Sequence, residues 1–156
     1  MSEIKVKEYL KKYNMDQRII RTDKSSATVK EAAEAFNTEE RRIAKSLTFM
    51  LNSGPIMIVL AGDAKIDNSK YKSLFNEKAH MIPFENVETI IGHPVGGVCP
   101  FAVNKEVTIY LDESLKRFET VFPACGECYN AIELTIKELE EVTNYKNWID
   151  VSKLNM

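Results

Sequence analysis

The sequence predicts an α/β (α+β) fold, a mixed β-sheet curled toward a barrel with helices flanking it. Three observations lead there. Strand-like runs outnumber helical ones, several follow one another with no helix between them, and two Thr-x-x-Glu boxes mark helix starts far apart in the chain. Consecutive strands exclude a purely doubly wound parallel sheet and leave a curved or partly closed one with helices outside.

Residues 3–13 place Val6, Tyr9, Leu10 and Tyr13 at helical spacing. Residues 18–22 are rich in β-branched side chains and read as a short strand. Thr28-Val29-Lys30-Glu31 is a capping box opening a helix through Phe36, and residues 38–43 read as another short helix. Residues 46–51 and 56–60 are β-rich runs joined by Asn52-Ser53-Gly54-Pro55, a hairpin with a loop of about four residues. Asp67 can cap a helix through Phe75, and a short strand near 80–82 leads to a helix over 84–91. Strands follow at 107–111, 119–122 and 129–134. Thr135-Ile136-Lys137-Glu138 opens a helix to Val142, and residues 148–151 form a final strand.

With 156 residues, 44% hydrophobic and 28% charged, the chain reads as one globular domain over 1–156 with a sizeable core. The longest wholly apolar stretch, 56–61, is far short of the roughly 20 residues a membrane helix needs, so no membrane association is expected. The N-terminus is charged at once and has no secretory h-region. Three cysteines give no disulfide framework, which fits a reducing cytoplasm. The net charge of −2 hides an asymmetry: residues 1–45 carry 11 basic and 8 acidic side chains, residues 106–143 carry 3 and 9. A protein gripping duplex DNA would show a broader positive surface. Cations near Arg41, Arg42 and Lys45 suffice only for a short single-stranded end.

One loop stands out. His93-Pro94-Val95-Gly96-Gly97-Val98-Cys99-Pro100-Phe101 places a glycine pair between two prolines, a stiff, exposed segment whose amides at 96–99 can point outward together. Such a nest suits a phosphate, a carboxylate or an acyl-transfer oxyanion; the plainer reading is a tight connection. Lys45 sits where the helical segment 41–44 gives way to a strand. There its ammonium can enter a cleft or simply solvate a helix end. Ser46 adds a hydroxyl. Cys125-Gly126-Glu127-Cys128 is a CxxC that, with Cys99 and His93 or His80, can supply soft zinc ligands, a redox pair, or ordinary thiols lining a turn. No nucleophile elbow, P-loop, dinucleotide fingerprint or Ser/His/Asp constellation is present.

Taken in order, Thr28 to Ala33, Ala44-Lys45-Ser46-Leu47, the hairpin end Val59-Leu60-Ala61-Gly62-Asp63, Gly96 to Phe101, Ala124-Cys125-Gly126 and Ile132-Glu133-Leu134 resemble the YbaK/ProX family of aminoacyl-tRNA deacylases. The same module is inserted in bacterial prolyl-tRNA synthetases. The resemblance spans roughly residues 20–143 and implies a mixed sheet curled toward a barrel. It also implies hydrolysis of the ester between a wrong amino acid and the terminal ribose of a tRNA, with no cofactor and no metal. On this likeness Lys45 matches the lysine on which family activity depends, and Gly96 and Pro100 match the GxxxP loop of the amino-acid pocket. Gly97, Val98 and Cys99 fall between those two. Ser46 matches a polar pocket position, and Cys125 with Gly126 matches a glycine-rich turn forming another wall. Cys99 stands where serine is common, Ala131 where some members have aspartate, and the 124–128 turn has fewer glycines than many members. The partners implied are a charged tRNA acceptor end and, beyond it, an aminoacyl-tRNA synthetase. The rival readings are a non-catalytic module binding the same end, and a cysteine-based zinc or redox protein.

Overall fold

In a computed structural model, which describes residues 2–155, the chain forms five α-helices and ten short strands. They run α1 Ser2–Lys11, β1 Ile20–Arg21, α2 Val29–Ala35, β2 Ile43–Leu51, β3 Gly54–Ala61, β4 Ala64–Ile66, α3 Asn68–Phe75 and α4 Val87–Ile91. The second half adds β5 Thr108–Asp112, β6 Thr120–Pro123, β7 Asn130–Ala131, β8 Leu134–Thr135, α5 Ile136–Val142, β9 Tyr145–Ile149 and β10 Ser152–Leu154. Six strands build one mixed sheet in the order β8-β6-β2-β3-β5-β9, curled into a half-barrel, as expected. β2 pairs antiparallel with β3 and parallel with β6, while β3, β5 and β9 run parallel to one another. Two ribbons, β1 with β7 and β4 with β10, close its corners.

The core lies against β3, whose residues from Ile56 to Ala61 are all buried, as a strand covered on both faces must be. Helix α1 lays Val6 and Leu10 on it, and the Tyr9 hydroxyl donates to the Val142 carbonyl at 2.6 Å, tying α1 to the end of α5. Helix α3 inserts Tyr71 between Phe49 and Phe75, with ring centroids 5.3 and 4.8 Å away. Helix α2 covers the other end of the sheet with Ala32 and Ala33 against Ile43 and Phe122.

The helix starts follow the capping residues. Thr135 and Glu138 make both halves of a capping box, and Asp67 Oδ1 accepts from the amides of Ser69 and Lys70. The expected box at Thr28 is half made: Thr28 Oγ1 accepts from Glu31 N, but the Glu31 carboxylate lies near Ser25 Oγ.

Several segments differ from the sequence expectation. Residues 38–43 hold only a 3-10 turn, Glu40–Arg42, because Ile43 and Ala44 are drawn into pairing with Phe122 and Pro123. The hairpin loop is two residues, Asn52 and Ser53, since Gly54 and Pro55 already pair with Leu51 and Met50. Residues 80–82 contribute a single bridge, Met81 to Phe49, and 129–134 is not one strand but two pairs of residues on different partners. β4 and β10, and the start of β9, were not expected as strands.

A buried carboxylate fastens the sheet's far corner. Asp112 Oδ2 accepts from Ser114 N at 3.0 Å and Ser152 Oγ at 2.6 Å, and Oδ1 accepts from Val151 N at 3.0 Å. Ser114 Oγ in turn accepts from Ala61 N at the end of β3. Removing this acceptor strands three buried donors, so Asp112→Ala should cost at least about 3 kcal/mol, read as a lower urea midpoint at unchanged slope. Asp112→Asn, keeping one carbonyl oxygen, should cost less.

Candidate active site

The sheet's curl leaves a cavity of about 520 Å³ over β2. Its floor is the strand from Ile43 to Thr48, and one side is the chain entering α2 at Ser26, Ala27 and Thr28. Val95, Gly96 and Val98 face it from the glycine loop, with Ala124, Asn130 and Ala131 behind. Ile82 and Val87 continue the wall, and Met81 and Phe84 stand at the mouth.

Lys45 is not at a helix end. It is the third residue of β2, opposite Leu60, and it is the one ionisable side chain on the cavity wall among the described residues. Its half-buried ammonium reaches the Gly62 carbonyl only at 3.4 Å. Burial lowers its pKa by stripping water from the charge, and nearby Asp63 acts the other way. Asp63 does not pair with Lys45; Arg117 holds it in a two-pronged grip at 3.1 and 2.6 Å, which keeps the carboxyl below its usual range. The cations expected beside Lys45 are also engaged elsewhere: Arg42 binds Glu133 at 3.0 Å and lies over Phe122, and Arg41 pairs with Glu39. Next along the strand, Ser46 Oγ is buried on the cavity wall with no hydrogen-bond partner among the described residues. That hydroxyl is shut off from the open cavity by the groups packed around it, as expected for a residue next to Lys45 on a strand whose side chains alternate between faces.

The glycine loop is largely buried rather than exposed. Pro94-Val95-Gly96-Gly97 is a β-turn closed by Gly97 N donating to Pro94 O at 2.9 Å, with Gly96 at φ +93° in the third position. The Gly97 amide is therefore internal and is not part of an outward nest. Gly97 packs directly on the cysteine turn: a Cβ there would stand 2.5 Å from the Gly126 carbonyl oxygen. Of the residues singled out from sequence, Lys45, Ser46, Gly96 and Val98 line the cavity, while Gly97, Cys99, Pro100, Cys125 and Gly126 form the layer behind it.

That layer is a buried hydrogen-bonded cluster. His93, fully buried, meets the Phe101 carbonyl at 2.6 Å through Nε2 and the Ser2 hydroxyl through Nδ1. A carbonyl only accepts, so the neutral ring carries its proton on Nε2. Cys99 Sγ lies 3.5 Å from the same nitrogen, and burial pushes this thiol up to about 12. Burial also raises Cys125 well above the ordinary thiol range. All three cysteines are free, and no three His, Cys, Asp or Glu side chains gather as metal ligands among the described residues. Two buried polar residues escaped the sequence reading. Ser26 donates from both N and Oγ to the Cys128 carbonyl, and Asn130 Oδ1 accepts from Cys125 N at 3.2 Å. Both fasten the cysteine turn and line the cavity, and no local motif marks either.

The sequence pattern of the aminoacyl-tRNA editing domain matches residues 23–142, which include α2, the hairpin, the glycine loop and the cysteine turn. The chain belongs to this family. Among its relatives, the uncharacterized Bacillus subtilis protein YwhH is 48% identical over 154 residues, 98% of each chain. EbsC of Enterococcus faecalis, described as a candidate Cys-tRNA(Pro)/Cys-tRNA(Cys) deacylase, is 29% identical over 72% of this chain and 70% of its own. The crystal structure of a candidate trans-editing enzyme for prolyl tRNA synthetase superposes with a TM-score of 0.86 at 28% identity, covering 97% of both chains.

In this editing domain the His93 cluster gives a signed pH dependence. Burial lowers the His93 pKa from 6.5 to about 4, so below pH 6.5 the unfolded chain takes up a proton that the native state refuses. Its contribution to stability is complete above that pH and is lost as the pH falls toward 4, by about 3 kcal/mol. Urea midpoints at neutral and mildly acidic pH should therefore fall more steeply for the wild type than for His93→Asn. Parallel losses would rule the assignment out.

Proposed function

We propose that the chain is a trans-editing hydrolase that cleaves the ester of a mischarged aminoacyl-tRNA. The observation that carries this reading is the lone ammonium of Lys45 on the wall of an otherwise uncharged, largely apolar cavity, within a chain of the aminoacyl-tRNA editing family. A cation in such surroundings interacts far more strongly with a phosphate or a polarised ester than it would in water.

In this reading Lys45 anchors the terminal ribose-phosphate or the ester itself, and Ser46 packs beside it in the strand that carries it. Water attacks the ester carbonyl. The oxyanion that forms is held at the Gly96–Val98 wall, by amides other than that of Gly97, and collapse expels the ribose hydroxyl and frees the amino acid. An aminoacyl ester is already activated, so positioning and charge stabilisation suffice without a protein nucleophile or a cofactor. The buried, high-pKa thiols of Cys99 and Cys125 fit that economy: they support the Gly96 and Ala124 walls from behind and take no part in the chemistry. The substrate is the acceptor end of tRNA with its amino acid, met in the cytoplasm, and the likeness to a candidate trans-editing enzyme for prolyl tRNA synthetase supports a synthetase as partner.

Lys45→Ala should lower kcat/KM for deacylation by about 100-fold or more while leaving the fold intact, since the side chain makes only one long hydrogen bond. The measurement is a panel of mischarged tRNAs tested with wild type and variant. A wild type that binds the acceptor end yet hydrolyses nothing on the panel would make the chain a binding module instead.

A further inference from the structure

The cavity is a trough with two unlike ends. Its floor runs five residue steps along β2 from Ile43 to Thr48, roughly 16 Å at strand spacing. At the Ile43 end, α2 and Phe122 close it with apolar side chains. At the other end the Thr48 carbonyl accepts from Ile82 N at 3.1 Å and Phe49 bridges to Met81, so the segment after α3 is stitched to the floor and forms the mouth. Lys45 stands two steps from the closed end.

Three large apolar side chains on this rim face solvent: Phe84 at 74% exposure, Met81 at 59% and Val95 at 46%. Single exposed apolar residues need no explanation, but three around one cavity mouth form a patch that does. Phe84 is the most exposed large apolar side chain among the described residues, yet its backbone is fixed between two buried neighbours, Ile82 and Val87, in the turn Phe84–Asn86. A flat ring on a fixed turn, with its surface open, is a platform that a planar partner can stack on.

We infer that Phe84, with Met81 beside it, is the stacking platform for the terminal nucleobase of the tRNA acceptor end. This rests on the hydrolase reading above. An ester at Lys45 leaves the closed end to the amino acid, and the nucleoside must then leave along the trough toward Thr48, Met81 and Phe84. Stacking on an aromatic face is sequence-tolerant. It needs no base-edge donors here, because the terminal base is the same in every tRNA.

The test uses the full chain and a short acceptor-strand oligonucleotide ending in 2-aminopurine, its 3′ carbon bearing alanine through an amide in place of the ester. Wild type should quench the fluorescent base on binding. Phe84→Ala should need about tenfold more protein for the same quench, with an unchanged melting temperature, and Phe84→Trp should restore tight binding. An alanine variant that titrates like wild type, or a wild type that never quenches, overturns the platform, and the apolar rim is then a docking patch for another protein. Because the amide is not cleaved, quenching that depends on Phe84 upholds the platform even if the deacylation panel is negative. Deacylation whose half-saturation ignores Phe84 sinks the platform alone.

Discussion

Eight residue pairs, from Ala44 against Ala61 to Leu51 against Gly54, lock β2 to β3, and the placement of every cavity residue on β2 follows from that ladder. Side chains on a strand alternate between faces, so a slip of one residue would turn Lys45 away from its place on the wall. Two features hold the register. The connection through Asn52 and Ser53 is the shortest a hairpin allows, and β3 is itself gripped on its far edge by β5. The exit of the same hairpin then completes the surroundings of Lys45: Gly62 supplies the carbonyl and Asp63, tethered by Arg117, supplies the nearby negative charge.

How much of this was legible in the sequence depends on whether the deciding interaction was local. The β2–β3 hairpin, the Asp67 and Thr135 caps and the glycine turn could be read because each is fixed within a few residues. Residues 43 and 44 could not, because their strand character comes in part from a parallel partner about 80 positions away, at Phe122 and Pro123. The stretch 129–134 carries a plausible strand composition, but tertiary pairing divides it: Asn130 and Ala131 go to β1, Leu134 and Thr135 to β6. β9 was missed at its start because it lies at the sheet edge, where Lys146 and Asn147 face solvent and break the apolar pattern. In the cavity, Lys45, Ser46, Gly96 and Val98 stood out from local residue pattern, a lysine and serine opening a strand and a glycine pair between prolines, and likeness to a family motif then suggested their roles. Ser26, Asn130 and Phe84 arrive there only through the fold, and nothing in their neighbours' identities says so.

The cysteines show how burial decides between readings that residue type leaves open. Soft donors spaced as CxxC, with a third thiol and a histidine elsewhere, suggest metal or redox chemistry on composition alone. The structure puts Cys99 and Cys125 in a dry layer where the thiolate is disfavoured, and neutral His93 is already engaged by Ser2 and Phe101. Both thiols pack in the layer behind the cavity wall. Gly97 can approach the Gly126 backbone only because it lacks a side chain, and the small, neutral groups around that contact let two loops pack as one wall.

A wall built this way also explains why the cavity can be sparing in charge. Hydrogen bonds that fix the loops run behind the surface, from Gly97 to Pro94, Ser26 to Cys128 and Cys125 to Asn130, so few polar groups need face the ligand. What lines the cavity is a single cation, a few neutral polar residues and a majority of apolar side chains. In such a setting the one charge makes no ion pair of its own, since Asp63, Arg41 and Arg42 are each paired with other partners, and Asp63 acts on it only from a distance. A carboxylate placed on this wall would pair with Lys45 and cancel its charge. The Arg117 grip on Asp63 thereby keeps the nearby anion from closing onto the ammonium.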